Sequence, residues 1–219
     1  MKTILTLMVL FFLVVTISTS SYGNTMSYYF DLNNAGLGGG PWGMITLTDI
    51  DSHTVKFIVD PYESAFSGVG SNFGIQGFAF NFDNKTRDGN LLSFSNPSGW
   101  SGEYDEDNIT GYGPYDKFDL EVKGKGSNRQ NPLVFFVTSP SDFTISIHDF
   151  NMEESTNNYL FAGHIAGFTE GTLTSAKFAD PASDPASVPA PVPEPATMLL
   201  VGSGLIGLAG YGRKKFFKK

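Results

Sequence analysis

Between residues 24 and 179 the apolar side chains recur at every second position, a period that suits strands and not amphipathic helices. Phe78, Phe80 and Phe82 alternate with Ala79 and Asn81, and Val55, Phe57 and Val59 form a similar set. Tyr28, Phe30 and Leu32, then Ile45 and Leu47, follow the same rule, as do Phe161, Gly163 and Ile165. Phe143, Ile145 and Ile147 alternate with Thr144, Ser146 and His148, which predicts another strand. Leu133 to Val137 is continuously apolar and predicts a strand buried on both faces or at a sandwich centre. Gly, Pro, Asn and Asp punctuate these runs, and Ile50-Asp51-Ser52-His53 reads as a hairpin connection. The pattern predicts an all-β fold, an antiparallel β-sandwich of roughly eight to eleven strands, jelly-roll-like, with a closed barrel as the alternative.

Composition supports a folded body. Of 219 residues, 41% are hydrophobic and 20 are Phe, enough apolar material for a core. Cysteine is absent, which removes disulfides, thiolate zinc sites and thiol chemistry. A core of this size is stable without covalent staples. Residues 24–192 carry eight Lys/Arg against 21 Asp/Glu, and so acidic a body repels phosphate backbones, which excludes nucleic acid as a partner.

The two ends differ from the body. Lys2 is followed by the apolar run Ile4 to Ile17, then by Ser18 to Ser21 and Tyr22-Gly23. This order is that of a secretory signal peptide, residues 1–23, with Ser21 and Gly23 small enough for signal peptidase to cut after Gly23. Residues 24–179 then form the β-sandwich domain. Residues 180–192 read DPASDPASVPAPV, a Pro/Ala/Ser-rich linker that cannot enter helix or sheet interiors. Residues 193–219 form the last segment. Ala196 to Tyr211 is uncharged, and as a transmembrane helix it would measure about 24 Å, short of a hydrocarbon core of roughly 30 Å. Arg213, Lys214, Lys215, Lys218 and Lys219 stay on the cytoplasmic side as a basic stop-transfer cluster, leaving the acidic body outside.

Val192-Pro193-Glu194-Pro195-Ala196-Thr197, the Gly/Leu-rich stretch after it and the closing Arg/Lys cluster resemble the C-terminal sorting signal of PEP-CTERM proteins of Gram-negative bacteria. The resemblance covers residues 192–219. It implies that the precursor pauses in the inner membrane and that an exosortase reads Pro193, Glu194 and Pro195 and cuts near them. The body then reaches the cell surface or an extracellular polysaccharide matrix. Segments 65–83, 111–137 and 161–168 are similar to the soluble part of many such proteins, a looser likeness that implies no activity. The expectation is an exported, non-enzymatic protein without cofactor. The alternatives are a glycan-binding module and a glycoside hydrolase.

Three features of the body invite a site. Glu103, Asp105, Glu106 and Asp107 form the densest acidic cluster, read chiefly as a solvated loop. On a strand, Glu103, Asp105 and Asp107 would share one face, the spacing seen in the carboxylate pairs of sandwich-fold β-glucanases. Asp105, Asp107, Asn108 and Thr110 offer hard oxygen donors that suit calcium, in an order unlike the EF-hand. Trp100, Tyr104, Tyr112 and Tyr115 surround the cluster, and if exposed they would stack on sugar rings. His148 and His164 fall in different predicted strands and His53 in a turn, so each reads as a packed side chain. Gly36 to Gly40 lacks the helix and Lys of a phosphate-binding loop.

Overall fold

The computed structural model describes residues 23–83, 88–115, 117–150 and 159–181. The expected signal peptide but for Gly23, most of the expected linker and the C-terminal segment lie outside the described residues. In chain order the strands are β1 (Thr25–Tyr29), β2 (Leu32–Asn33), β3 (Gly43–Asp51), β4 (Thr54–Pro61), β5 (Gly68–Phe80) and β6 (Ser93–Ser95). They continue with β7 (Trp100–Ile109), β8 (Phe118–Gly124), β9 (Leu133–Thr138), β10 (Tyr159–Glu170) and β11 (Leu173–Pro181). A five-stranded sheet has the order β1-β3-β4-β9-β6, and a six-stranded sheet the order β2-β11-β10-β5-β8-β7, all pairs antiparallel. Two separate sheets decide between the expected architectures: the arrangement is a sandwich and the barrel does not close. Every connection except the hairpins β3–β4, β7–β8 and β10–β11 passes from one sheet to the other.

Alternation places the core. β4 is buried at every second residue from Val55, and its partner β9 does the same, so Leu133, Phe135 and Val137 point inward while Val134 and Phe136 are half-covered. The apolar run is therefore buried on one face only. Phe57 is central: its ring stacks on Phe135 at 4.7 Å and meets Phe80 of the opposite sheet at 4.9 Å and Phe150 edge-on at 5.3 Å. Tyr28 on Phe161 at 4.9 Å, Trp42 on Phe178 at 5.6 Å and Phe66 on Phe168 at 4.3 Å extend the contact along the sandwich. Such ring pairs add about 0.5–1.5 kcal/mol each beyond the area they bury.

The segment Phe143 to Ile147 is not a strand. Its backbone finds partners outside any ladder: Ile145 N donates to Ser52 O, Ser146 N to the Asp149 carboxylate and Ile147 N to Asp49 Oδ1. With those donors satisfied locally, the chain enters a 3-10 turn over Ile147–Phe150, which carries His148. The alternation there reflects Ile145 and Ile147 dropping into the core from an irregular segment. β11 also runs to Pro181, two residues into the expected linker.

A second, smaller apolar cluster lies on the outer face of the six-stranded sheet. Ala79, Ala162 and Ala179 are register neighbours on β5, β10 and β11, and Ile109, Tyr112, Tyr115 and Phe118 pack with them, all buried.

Asp180 closes β11 with its carboxylate buried, and its Oδ2 has no partner among the described residues. Burial, aided by the charge of Asp31, raises its pKa from the usual carboxylate range to about 8. The folded chain thus holds a proton that the unfolded chain releases near pH 4. Stability is fully present below that pH and is lost as pH rises towards 8. Asp180→Asn is expected to flatten this slope in urea melts and to raise the midpoint at pH 8. A slope unchanged by the substitution would contradict the assignment. For the core, Phe57→Ala is expected to cost about 3–5 kcal/mol. Ile50→Ala, at a side chain 49% exposed, should shift stability by no more than about 0.5 kcal/mol in the same assay.

Candidate functional site

The acidic cluster lies on β7, the edge strand of the six-stranded sheet, and not in a loop. Glu103 and Tyr104 pair in register with Glu121 and Leu120, but the ladder breaks between Tyr104 and Ile109. At the break Asp107 takes φ 53, and its N–H donates to Asp119 Oδ1 at 2.9 Å. Asp119 is fully buried and also accepts from Phe82 N at 3.0 Å. Burial raises its pKa, and these two backbone donors oppose the rise. Because of this bulge Glu103, Asp105 and Asp107 do not continue a single alternating face. Asp105 accepts the Asn108 amide at 2.7 Å, and the side chains of Asp105, Glu106, Asp107 and Asn108 are exposed, as is Thr110. Among the described residues no three His, Cys, Asp or Glu side chains come together as a metal site. The exposed charges on an unpaired strand edge do suit protection against edge-to-edge pairing.

Of the four aromatic residues that would stack on sugars if exposed, Trp100, Tyr112 and Tyr115 are buried. Trp100 packs on Gly124 and donates its indole N–H to Asn128 O at 2.8 Å, while Tyr104 is half-buried against Gly89. Tyr112 and Tyr115 are the residues that cover the alanine platform, and Tyr115 meets Tyr159 edge-on at 4.9 Å. Their faces are spent on the sheet and do not form a stacking surface.

The sheet register instead assembles a polar group that no spacing in the sequence announces. Lys177 pairs with His164, His164 with Gly77, and Gly77 with Lys123, so these residues of β11, β10, β5 and β8 form one row on the outer face. Beside it Glu121 stands directly opposite Glu103, a like-charge pair that costs stability unless relieved. Tyr112 OH donates to Glu121 Oε1 at 2.7 Å, and Lys123 Nζ donates to Oε2 at 3.1 Å. Burial, the Glu121 charge and that hydrogen bond hold the Tyr112 hydroxyl protonated, its pKa well above the ordinary value. Lys177 Nζ lies 5.1 Å from the centre of the Tyr112 ring, within cation–π range. Arg129 reaches the same face: its Nε donates to Gln76 Oε1 at 3.2 Å and its Nη1 to Asn72 O at 3.0 Å. Burial first, then the charges of Lys177, Arg129 and Lys123, lower the His164 pKa to about 4, so the ring is neutral at pH 7.

The other two histidines lie elsewhere. His148 is in the 3-10 turn. His53 Nδ1 is 3.0 Å from Phe143 O and 3.3 Å from Ser139 Oγ, a Ser–His pair that sequence spacing does not reveal because 86 residues separate its members. Ser139 Oγ donates to Phe143 O at 2.8 Å, so its proton is directed at a backbone carbonyl and the pair closes a loop. The Gly36–Gly40 stretch forms part of the β2–β3 connection, organised by the Asn33 side chain, which accepts from Ala35 N and Leu37 N and donates to Leu37 O.

Pro193, Glu194, Pro195 and the basic residues Arg213 to Lys219 fall outside the described residues. No curated protein and no solved structure matches the chain. Residues 191–214 match the family model of the PEP-CTERM protein-sorting motif, a span that holds the Pro-Glu-Pro triplet, the uncharged run and the first two residues of the basic cluster. The chain is therefore one that carries a PEP-CTERM sorting motif, which implies an exported protein directed to the cell surface through exosortase processing.

Proposed function

We propose that the chain is a non-enzymatic exported protein whose β-sandwich is the mature product. Signal peptidase removes residues 1–23, and the apolar run 196–211 with its five terminal cations holds the precursor in the inner membrane. Exosortase cuts near Pro193, Glu194 and Pro195, and the body passes to the surface or to an extracellular polysaccharide matrix. The match of residues 191–214 to the sorting motif carries this reading. Charge supports the orientation: the body is strongly acidic, and the basic cluster on the cytoplasmic side resists transfer. The prolines on either side of Glu194 keep the backbone extended, the form in which proteases take substrates. A body without catalysis is favoured by His53 and Ser139 both reaching the Phe143 carbonyl, a contact that closes a loop. It is favoured too by the Asn108 amide resting on Asp105, which competes with calcium and with a water nucleophile alike.

Mass spectrometry of surface-associated and released protein tests the reading. The expected mature form begins near Asn24 and ends near Glu194. Recovery of peptides from 205–219 joined to the surface protein would show a permanent anchor and defeat it.

A further inference from the structure

The outer face of the five-stranded sheet differs in charge from the body that carries it. Val55, Phe57 and Val59 of β4 point into the core, so Lys56, Ile58 and Asp60 point out. Register extends these positions into rows. Ile58 lies between Thr46 of β3 and Val134 of β9, Lys56 lies between Thr48 and Phe136, and Asp60 stands beside Met44. Every one of these side chains is half-buried. The rows run out into hydroxyls, at Ser27 on β1 and Ser95 on β6. An apolar centre with a polar rim is the make-up of a protein interface.

Residues 24–192 hold 21 acidic side chains against eight basic ones. Two such bodies repel each other, and at physiological salt the repulsion is screened beyond about 8 Å. Among the described residues of these rows the charges are one Lys and one Asp, so at this face two copies meet without net charge. Neither Lys56 nor Asp60 lies within ion-pair distance of an opposite charge among the described residues. Burial, and then the charge of Glu63, raises the Asp60 pKa, so that carboxylate gains from a cation brought to it.

We propose that a second copy of this chain packs face to face on the five-stranded sheet, about a two-fold axis that lies between the two sheets and crosses β4 over Ile58. Lys56 and Asp60 stand two residues to either side of Ile58, about 6.6 Å along the strand. An axis running across the strands therefore sets Lys56 of each copy against Asp60 of the other, and Ile58 against Ile58. An axis running along β4 would set Lys56 against Lys56, which like charge disfavours. Aligned sheets cross at about 30° and pack about 10 Å apart, so the charged partners are offset sideways by roughly 3 Å, within the reach of a lysine. Four strand spacings of about 4.8 Å by the roughly 26 Å of β4 give about 500 Å² per copy. The total of about 1,000 Å² is at the low end for a specific complex, so the dimer is weak and concentration-dependent. This inference goes beyond the sorting reading and stands without it.

The cysteine-free sequence makes the test direct. Ile58→Cys in the full chain in detergent, treated with a bismaleimide of short spacer, is expected to give a covalent dimer whose yield rises with protein concentration. Val69→Cys, 40% exposed on the six-stranded sheet, controls for contacts made elsewhere and should give at least tenfold less. Adding Lys56→Glu to Ile58→Cys should lower the yield at least tenfold. Lys56→Asp with Asp60→Lys should restore it, because the exchange keeps each ion pair. Thermal melts establish that each variant is folded. Equal yields from the Ile58→Cys and Val69→Cys variants would overturn the proposal, as would a yield unmoved by Lys56→Glu or one that the exchange does not restore. A monomeric chain in which Ile58→Cys resists a monofunctional maleimide would place a segment of the same chain on the face, and would overturn it too.

Discussion

Aromatic rings seated between two sheets require something opposite them to give way, and in this sandwich glycine does so. Phe30 lies against Gly163, where a Cβ would stand 2.6 Å from its ring. Phe94 of β6 occupies the space above Gly102 of β7 across the two sheets, while within the six-stranded sheet Trp100 covers its register partner Gly124, and Tyr104 covers Gly89 of a 3-10 turn. Facing sheets pack about 10 Å apart, a spacing that accommodates a ring opposite a bare backbone better than opposite a second large side chain. Gly43, Gly102 and Gly163 each lie against a Phe ring in this way. They let rings from one sheet reach the backbone of the other and make the sandwich dense without a disulfide.

The same device acts a second time on the outside. The five-stranded sheet turns a wet face to solvent, where Thr25 faces Thr48 at 3.2 Å and Ser27 faces Thr46 at 3.3 Å across β1 and β3. Such hydroxyl pairs are typical of a sheet with one solvated side. The six-stranded sheet carries Ala79, Ala162, Ala179 and Gly77 on its outer side, which leaves room for two tyrosines to pack against it. Burying Tyr112 then requires a partner for its hydroxyl, which Glu121 supplies, and burying Glu121 requires a cation, which Lys123 supplies. The polar group thus follows from the choice of small residues beneath the tyrosines.

The fold was legible where one face of a strand is dry and the other wet. Val55, Phe57 and Val59 point inward as the period demands, and Ser52 and His53 form the turn between β3 and β4. It was misread where apolar alternation arose without a ladder, as at Ile145 and Ile147, because period two records which side chains are buried and not where backbone hydrogen bonds go. The aromatic residues near β7 stayed open between core and ligand surface for a related reason. Tyr112 and Tyr115 belong to a covering segment whose partners, the three alanines, lie in three strands distant in sequence. The polar row was not legible at all. Lys123, His164 and Lys177 share a row only through the register of β8, β5, β10 and β11, and no local pattern fixes that register. The sorting motif, by contrast, is contiguous, and it is read from the sequence alone.

This division between contiguous and assembled features bears on how the chain tolerates processing. The last strand, β11, lies between β2 and β10 and ends at Pro181, so it is secured by ladders on both sides before the proline-rich stretch begins. The first strand starts at Thr25, and Asp49 N donates to Asn24 O just ahead of it. Every ladder among the described residues therefore lies between positions 25 and 181. The proposed cuts after Gly23 and near Pro193 to Pro195 remove no strand of the described residues. Without cysteine the body is also indifferent to the redox state of the compartments it crosses. A domain whose ladders all lie between Thr25 and Pro181 suits the processing proposed above at both ends.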